Sequence, residues 1–376
     1  MKKTFIALFL IAFTFKSFGQ QKKAVFTEQF KKENRGKYNI EVNELKELLI
    51  IMLAITDYGL GNDDMFFQEG DYYQDVLKQF KPYKNEPIIL KMDSLMKESP
   101  LNYLFFTGNS QTYNFDGDVL KPDDVYFFTA DEVAKVKIDK NPITTYKKEI
   151  EDFAKKSDFR KFYSNHKDFY NKIYENYEKN VNLVKQWKWL EKNFEAKNDS
   201  YVIYTSQLIN GLNYTNRYDE KDFKLIEMVL PALSKIEGRT EKNAEAFNTR
   251  VMFTEIDHNY VNKPSNKYEK QIDEALKNRD KWVNAKVYGT EYYPTGEHVF
   301  NEYMTYGVFI LYALDNWKGD TKLLNEIEKE VNYTMVNRGF IKMNEFTNEL
   351  KKLRAKNKNK KIDKLYPQLV KWCAKQ

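Results

Sequence analysis

The sequence predicts a predominantly helical α+β fold with a small β-hairpin or meander region. Apolar residues recur at helical spacing over most of the 376-residue chain. The stretches 101–138 and 199–216 change to short aromatic and β-branched runs, which indicate strands. Hydrophobic residues make up 42% of the chain and aromatic residues 16%, which is enough apolar material for a large core. We therefore expect a folded protein rather than a disordered one.

The first 19 residues have the pattern of a secretory signal peptide. Two lysines precede an apolar run over 5–15, and small residues stand where signal peptidase requires them before Gln20. The run is shorter than the roughly 20 residues that span a bilayer, although a retained membrane anchor is the alternative. We expect a mature protein that begins near Gln20, is periplasmic or extracellular, and has no membrane span.

Composition excludes two further classes. The only cysteine is Cys373, so neither an intramolecular disulfide nor a CxxC zinc site can form. The formal charge of +6 falls to +3 without the three lysines of the signal segment, which contains no acid. That balance is too mild to predict a nucleic-acid partner.

The chain before residue 140 is predicted to contain two helices and a hairpin. Apolar residues from Val42 to Tyr58 recur at helical spacing, and Gly59 and Gly61 indicate where this buried helix ends. A shorter helix is predicted over 72–80. The predicted strands of the hairpin region are 103–107 and 125–129, on either side of turn residues at 114–118.

The chain after residue 140 is predicted to be mostly helical. Aromatic residues along 144–194 indicate two long helices, and such a stripe is typical of core packing. The stretch 199–216 indicates one or two strands. The helices predicted after it are 223–236, 244–261, 272–282, 297–314, 322–339 and 343–353.

No internal repeat and no linker divides the sequence into separate domains. The sequence therefore predicts one α+β domain over 20–376. Residues 20–140 and 141–355 are candidate lobes within this domain. Neither the oligomeric state nor a physiological partner follows from the residues.

Two polar pairs on otherwise apolar helices carry the candidate chemistry. Glu255 and His258 are three residues apart, and His298 and Glu302 are four apart, so each pair shares a helix face. A catalytic zinc ion needs three N or O ligands and a separate carboxylate that takes the proton of the bound water. His258, His298 and Glu302 are the candidate ligands, and Glu255 is the candidate base.

Structural roles are the alternative for each of these residues. Glu255 and His258 can form a polar pair on a packed helix, and His298 can simply be exposed at a helix start. Tyr306 and Tyr260 lie one turn or less beyond these residues and are both candidates to stabilise an oxyanion. The third histidine, His166, lies among aromatic residues and is expected to be structural, while Asp257 points off the shared face.

The segment Thr254–His258 resembles the HExxH helix of gluzincin metallopeptidases. Asn301 and Glu302 match the Asn-Glu pair that supplies the third ligand in that class. The chain departs from the motif at Thr254, which replaces the first histidine and is a poor zinc ligand. The resemblance therefore implies a gluzincin-like helical domain in which His298 compensates, or Glu255 becomes a ligand, or no metal is held.

The mature chain is also similar to the secreted bacterial family called domain of unknown function 4932. The resemblance extends over most of 40–315 and implies the same scaffold, but no established activity. The segments that carry it are 47–59, 159–166, 253–262 and 299–305.

Three functional hypotheses follow from these residues. The first is a secreted zinc-dependent hydrolase in which Glu255 activates a metal-bound water against the carbonyl of a peptide or protein substrate. The strand region 201–212 is then the candidate edge strand that pairs with an extended peptide. The second is an inactive scaffold that binds a peptide or glycan, which Thr254 favours. The third is a non-proteolytic metal-binding protein in which Glu255, His258 and Glu302 all coordinate.

Overall fold

The computed structural model describes residues 23–133, 136–211, 213–233 and 239–376. The predicted signal segment lies outside the described residues. The predominantly helical α+β fold is confirmed, because helices dominate and the strands form only small sheets. None of the described helices is both long and apolar enough to cross a membrane.

The described residues form two compact units. The first unit contains the residues up to Glu175 and the segment Asn198–Ala232. The second contains Asn176–Lys197 and the residues from Leu233 to the end of the chain. The helix Lys167–Asn180 runs through the boundary between them.

All the described strands belong to the first unit. They are β1 (Lys37–Glu41), β2 (Tyr113–Asp116), β3 (Val119–Pro122), β4 (Glu132–Val133), β5 (Val136–Lys137), β6 (Ser200–Ser206), β7 (Tyr214–Asp219) and β8 (Lys224–Pro231). The main sheet has the order β1-β6-β8-β7, in which β6 runs parallel to both its neighbours and β7 runs antiparallel to β8. Every residue of the interior strand β6 is buried, so both faces of the sheet are covered at this strand.

In the described part of the first unit, ten α-helices precede, separate or follow these strands along the chain. They are α1 (Glu28–Asn34), α2 (Glu44–Ala54), α3 (Asp57–Leu60), α4 (Gly70–Phe80), α5 (Pro87–Glu98), α6 (Asn102–Gly108), α7 (Pro142–Thr145), α8 (Lys147–Lys156), α9 (Phe159–Asn165) and the boundary helix α10 (Lys167–Asn180). The predicted buried helix is α2, which Asn43 caps through its side chain. It ends before Gly59, because the Thr56 hydroxyl accepts from Gly59 N and starts α3.

The described part of the second unit is helical. Its helices are α11 (Leu183–Asn193), α12 (Glu241–Lys267), α13 (Glu269–Ala275), α14 (Gly296–Asn316), α15 (Thr321–Asn337), α16 (Met343–Lys356) and α17 (Tyr366–Cys373). Thr240 and Thr295 cap α12 and α14 with their hydroxyls. Helix α12 continues past its predicted end because Pro264 lies in its last turn, where a missing N–H removes only one hydrogen bond.

Three predicted elements are of the wrong type. Residues 103–107, predicted as a strand, lie in α6, because the preference of aromatic residues for strands yields to context. Residues 125–129 contribute only an isolated bridge at Tyr126. The predicted helix 223–236 is strand β8 up to Pro231, and 234–236 lie outside the described residues. Its apolar run is buried on both faces between β6 and β7, so it has no period that distinguishes strand from helix.

Two further predictions need correction. The two long helices expected over 144–194 are a series of shorter ones, because Asp158 adopts a left-handed φ of 55° between α8 and α9 and Asn182 caps a new helix, α11. The expected edge strand within 201–212 is the interior strand β6. Its backbone bonds to β1 on one side and β8 on the other, so it cannot accept a peptide as an added strand.

Candidate functional site

Helices α12 and α14 pack together and enclose three of the predicted site residues. Glu255 is 0% exposed, Glu302 is 2% exposed and His258 is 5% exposed. The Thr305 hydroxyl, one turn after Asn301 on α14, lies 3.4 Å from Nδ1 of His258. The helical spacing that suggested these residues therefore does bring the two helix faces into one buried region.

An arginine from outside the motif is the main partner of Glu302. Arg338 directly follows α15, and its Nη1 lies 2.8 Å from Glu302 Oε1. The same Nη1 donates to the hydroxyl of Tyr306 at 2.9 Å, and Nη2 donates to the hydroxyl of Tyr293 at 2.9 Å. The guanidinium also lies over the Tyr306 ring, 5.5 Å from its centroid. Glu302 is thus paired with a cation that belongs to the chain.

The carboxyl group of Glu255 is buried without a hydrogen-bond partner among the described residues. Neither of its oxygens has one. The pKa of Glu255 is raised to about 8, mainly by burial and in part by the neighbouring Glu302, while Arg338 opposes the rise. The carboxyl group is therefore mostly protonated at neutral pH.

His258 and Asp257 are neutral for the same physical reason. Burial lowers the pKa of His258 to about 3, and the charge of Arg338 adds to that effect. Asp257 is completely buried, both its oxygens lack a partner among the described residues, and burial raises its pKa far above the ordinary range. The burial of Asp257 was not apparent from its position off the shared helix face.

His298 has a different environment from His258. Its side chain is 41% exposed, and its Nδ1 lies within hydrogen-bond distance of the Thr295 hydroxyl at the start of α14. Glu297 Oε2 is 3.5 Å from the same nitrogen. The side chain therefore belongs to the cap of α14, as in the alternative interpretation of its sequence position.

Thr254 occupies the position of the missing motif histidine. It is 1% exposed, and its hydroxyl donates back along α12 to the carbonyl of Arg250 at 3.0 Å. Among the described residues, no group of three or more His, Cys, Asp or Glu side chains is arranged to hold a metal ion. Because Thr254 and Glu302 are both engaged by other groups and His298 belongs to the cap of α14, the donors present do not fit a zinc ion.

The remaining predicted residues have packing or positioning contacts. Tyr306 is 1% exposed, and its ring centroid lies 5.5 Å from the guanidinium carbon of Arg338 and 6.0 Å from that of Arg250. Tyr260 is buried, with its ring 5.9 Å from that of Phe194. In the first unit, His166 Nδ1 contacts the Phe162 carbonyl at 2.8 Å, which fits the structural role expected from the sequence.

Sequence reasoning missed Arg338 and Tyr293. Neither residue shares a helix with the motif, so no spacing rule connects them to it. A weak signal was present in Gly339, because a glycine after a helix often adopts a left-handed conformation and fixes the residue before it. That signal identifies a helix end but not the partner of the arginine.

Comparison with known proteins gives no relative. No protein-family model, no curated protein and no solved structure matches the chain.

Proposed function

We propose that the protein is a metallopeptidase-like scaffold that works without a metal ion, as a binding protein for a peptide segment. The observation that carries this proposal is the buried ion pair between Glu302 and Arg338. The carboxylate needed as the third metal ligand is already neutralised by a guanidinium. The signal segment predicted at 1–19 puts this binding in the periplasm or outside the cell.

The state of Glu255 supports the same proposal. A hydrolase of this kind needs an ionised base beside an open coordination position that water can reach. Glu255 is completely buried and has a pKa of about 8, so at neutral pH it mostly holds the proton that it would have to accept. His258 and Glu302 are also removed from solvent.

The candidate peptide-binding surface comes from the segments that also carry Arg338 and Tyr293. We define the tyrosine surface by its exposed large apolar residues, which are Tyr288, Tyr292, Tyr333, Val336 and Ile341. These residues come from two adjacent segments, because Asn284 N donates to the Gly339 carbonyl at 2.8 Å and Ile341 N donates to the Trp282 carbonyl at 3.1 Å. Exposed aromatic residues grouped in this way are typical of protein-binding surfaces.

Binding at the tyrosine surface is tested with an array of unstructured peptides, with a glycan array beside it. We expect the purified protein to bind a subset of peptides and the Tyr288→Ala/Tyr292→Ala variant to bind them at least tenfold more weakly. Leu90→Ala is the matched control, because Leu90 is 52% exposed in the first unit and should leave binding unchanged. Capture of glycans alone would show that the ligand class is wrong, and unchanged binding by the tyrosine variant would show that the surface is wrong.

Zinc-dependent hydrolysis of a peptide is the second candidate function. The observation that favours it is Glu255, whose two buried oxygens lack hydrogen-bond partners among the described residues, on a helix that also carries His258. Peptidase activity that survives repeated purification and disappears in Glu255→Gln would favour this function over the metal-free one.

A further inference from the structure

The tyrosine surface is formed by the segments 284–292 and 329–342, whose charged side chains differ in how far the chain itself neutralises them. The basic residues of these segments are Lys286, Lys329, Arg338 and Lys342, and the acidic residues are Glu291 and Glu330. One of the basic residues and both acidic residues are engaged by partners within the chain.

The engaged groups are Arg338, Glu330 and Glu291. Arg338 pairs with the buried carboxylate of Glu302. Glu330 accepts hydrogen bonds from both terminal nitrogens of Arg239, at 2.5 and 3.0 Å. Glu291 Oε2 accepts from the backbone N–H of the turn before it at 2.8 Å. Both acids of these segments therefore already have donors of their own.

The three lysines have no such partner. Lys286, Lys329 and Lys342 form no ion pair with the residues that the structure describes. Lys286 and Lys329 are exposed, and Lys342 is partly exposed. Lys286 lies two residues before Tyr288, and Lys329 lies one turn before Tyr333 on α15, where residues four apart share a face. The surface therefore carries an excess of positive charge beside its aromatic residues.

Contacts between the two segments bring Lys342 to the same surface. Val283 and Phe340 form an isolated antiparallel bridge where the segments meet. Lys342 comes two residues after this bridge, and its Nζ lies 5.5 Å from the centroid of the Trp282 ring on the opposite side of it. An ammonium group beside an aromatic ring keeps its charge, so it can still pair with a carboxylate.

A surface of this composition fits a ligand that is both apolar and acidic. Exposed tyrosines give contact area to apolar side chains, and unpaired ammonium groups attract carboxylates. A single exposed ion pair contributes little to affinity, because water and salt screen it. Several such pairs together therefore select a peptide by its charge, while the tyrosines supply most of the contact.

We propose that the peptide bound by the tyrosine surface is acidic, and that its carboxylates pair with Lys286, Lys329 and Lys342 while its apolar side chains pack against the tyrosines. This inference rests on the proposed peptide-binding function and adds the charge of the ligand to it.

The test compares three matched sets of unstructured peptides, equal in length and in apolar residues, whose polar positions are all Glu, all Gln or all Lys. Fluorescence anisotropy measures their binding to the purified protein in about 50 mM and about 500 mM salt. In low salt we expect the Glu peptides to bind at least tenfold more tightly than the Gln peptides, and the Lys peptides to bind most weakly. The difference should shrink in high salt, because salt screens exposed charges.

Charge reversal then assigns the preference to the three lysines. Lys286→Glu/Lys329→Glu/Lys342→Glu should lose the preference for Glu peptides while binding the Gln peptides within about threefold of the unchanged protein. The matched control makes the same change in net charge at exposed lysines of the first unit, and its substitutions are Lys32→Glu/Lys91→Glu/Lys221→Glu. This control should keep the preference, and circular dichroism verifies that both variants fold.

Equal binding of the three peptide sets by the unchanged protein would overturn the inference and leave the peptide-binding function intact, and this comparison needs no variant to fold. A preference for Glu peptides that survives charge reversal at the three lysines would overturn it as well. Vesicles that contain phosphatidylglycerol are the comparison probe, and binding to them without binding to Glu peptides would overturn it in favour of an anionic lipid surface. If no peptide of any set binds, the proposed function fails together with the inference.

Discussion

Glu302 and Arg338 form the ion pair on which the site depends. Both side chains are largely buried, so neither charge is compensated by water if its partner is removed. Replacing a buried ion pair by apolar residues costs less than removing one partner alone. The main effect of the pair is therefore that Arg338 neutralises the charge of Glu302, and its net contribution to the free energy of unfolding is expected to be small.

A double-mutant cycle tests this pair. We expect Glu302→Leu to lower the free energy of unfolding by about 3 kcal/mol, because Arg338 is left buried without its carboxylate. Glu302→Leu/Arg338→Met should lose less stability than that single variant. Urea unfolding followed by tryptophan fluorescence gives the free energy of unfolding of Glu302→Leu, Arg338→Met and the double variant. A loss in the double variant equal to the sum of the losses in the two single variants would show that the pair is not coupled.

Glu47 provides a residue-scale prediction in the first unit. It is 1% exposed, and the Tyr72 hydroxyl donates to its Oε1 at 2.6 Å. Burial raises its pKa from 4.5 to about 7, although the hydrogen bond from Tyr72 opposes the rise. The folded state therefore binds this proton more tightly than the unfolded state does. The resulting stability is complete below about pH 4.5 and is lost as the pH rises through about 7.

We expect Glu47→Gln to remove this pH dependence. Between pH 5 and pH 8 the variant should lose about 1–3 kcal/mol less stability than the unchanged protein, since its amide does not titrate. Chemical unfolding followed by circular dichroism across this range gives the comparison, with the exposed Glu98→Gln as control. If stability falls with pH equally in Glu47→Gln and in the unchanged protein, the raised pKa of Glu47 is not the cause of the pH dependence.

At the scale of elements, the turn after α15 positions Arg338, which pairs with Glu302. Gly339 and Gly319 both adopt positive φ in the second unit, at +94° and +96°. A Cβ at Gly319 would meet no atom within 4 Å, whereas one at Gly339 would press on Thr290 and Asn284. A side chain at Gly319 would therefore introduce backbone strain alone, whereas a side chain at Gly339 would introduce both backbone strain and steric contact.

Alanine substitutions at the two glycines make the corresponding prediction. Gly319→Ala should cost about 1 kcal/mol from the left-handed backbone alone. Gly339→Ala should cost about 1–2 kcal/mol more, because the added methyl group must displace its neighbours. Urea unfolding followed by tryptophan fluorescence compares them, and equal losses would mean that the close packing around Gly339 contributes nothing.

At the scale of the whole molecule, the two units differ in architecture and in the probes they carry. The first contains the parallel sheet, and the described part of the second is helical. All five tryptophans, at 187, 189, 282, 317 and 372, belong to the second unit. Tryptophan fluorescence thus reports on the unit that carries the site, while circular dichroism reports on both.

Much of the helical unit was predictable from the sequence, because a periodic apolar face marks a helix regardless of its neighbours. The predicted helix 297–314 corresponds to α14, and Glu255, His258 and Glu302 are buried where α12 and α14 pack. Strand β8 was not predictable, since an apolar run without periodicity fits a buried strand and a buried helix equally well. Arg338 was not predictable either, because tertiary packing alone brings it to Glu302.

Zinc content of residues 20–376, the chain without the predicted signal segment, tests the central claim most directly. The protein is incubated with excess zinc at neutral pH, freed of unbound metal by gel filtration, and analysed for metal together with folded His258→Ala and Glu302→Ala variants. If Arg338 neutralises the site, zinc stays at background in all three proteins. About one zinc per chain in the unchanged protein, lost in both variants, would contradict a metal-free scaffold and establish a zinc site at His258 and Glu302.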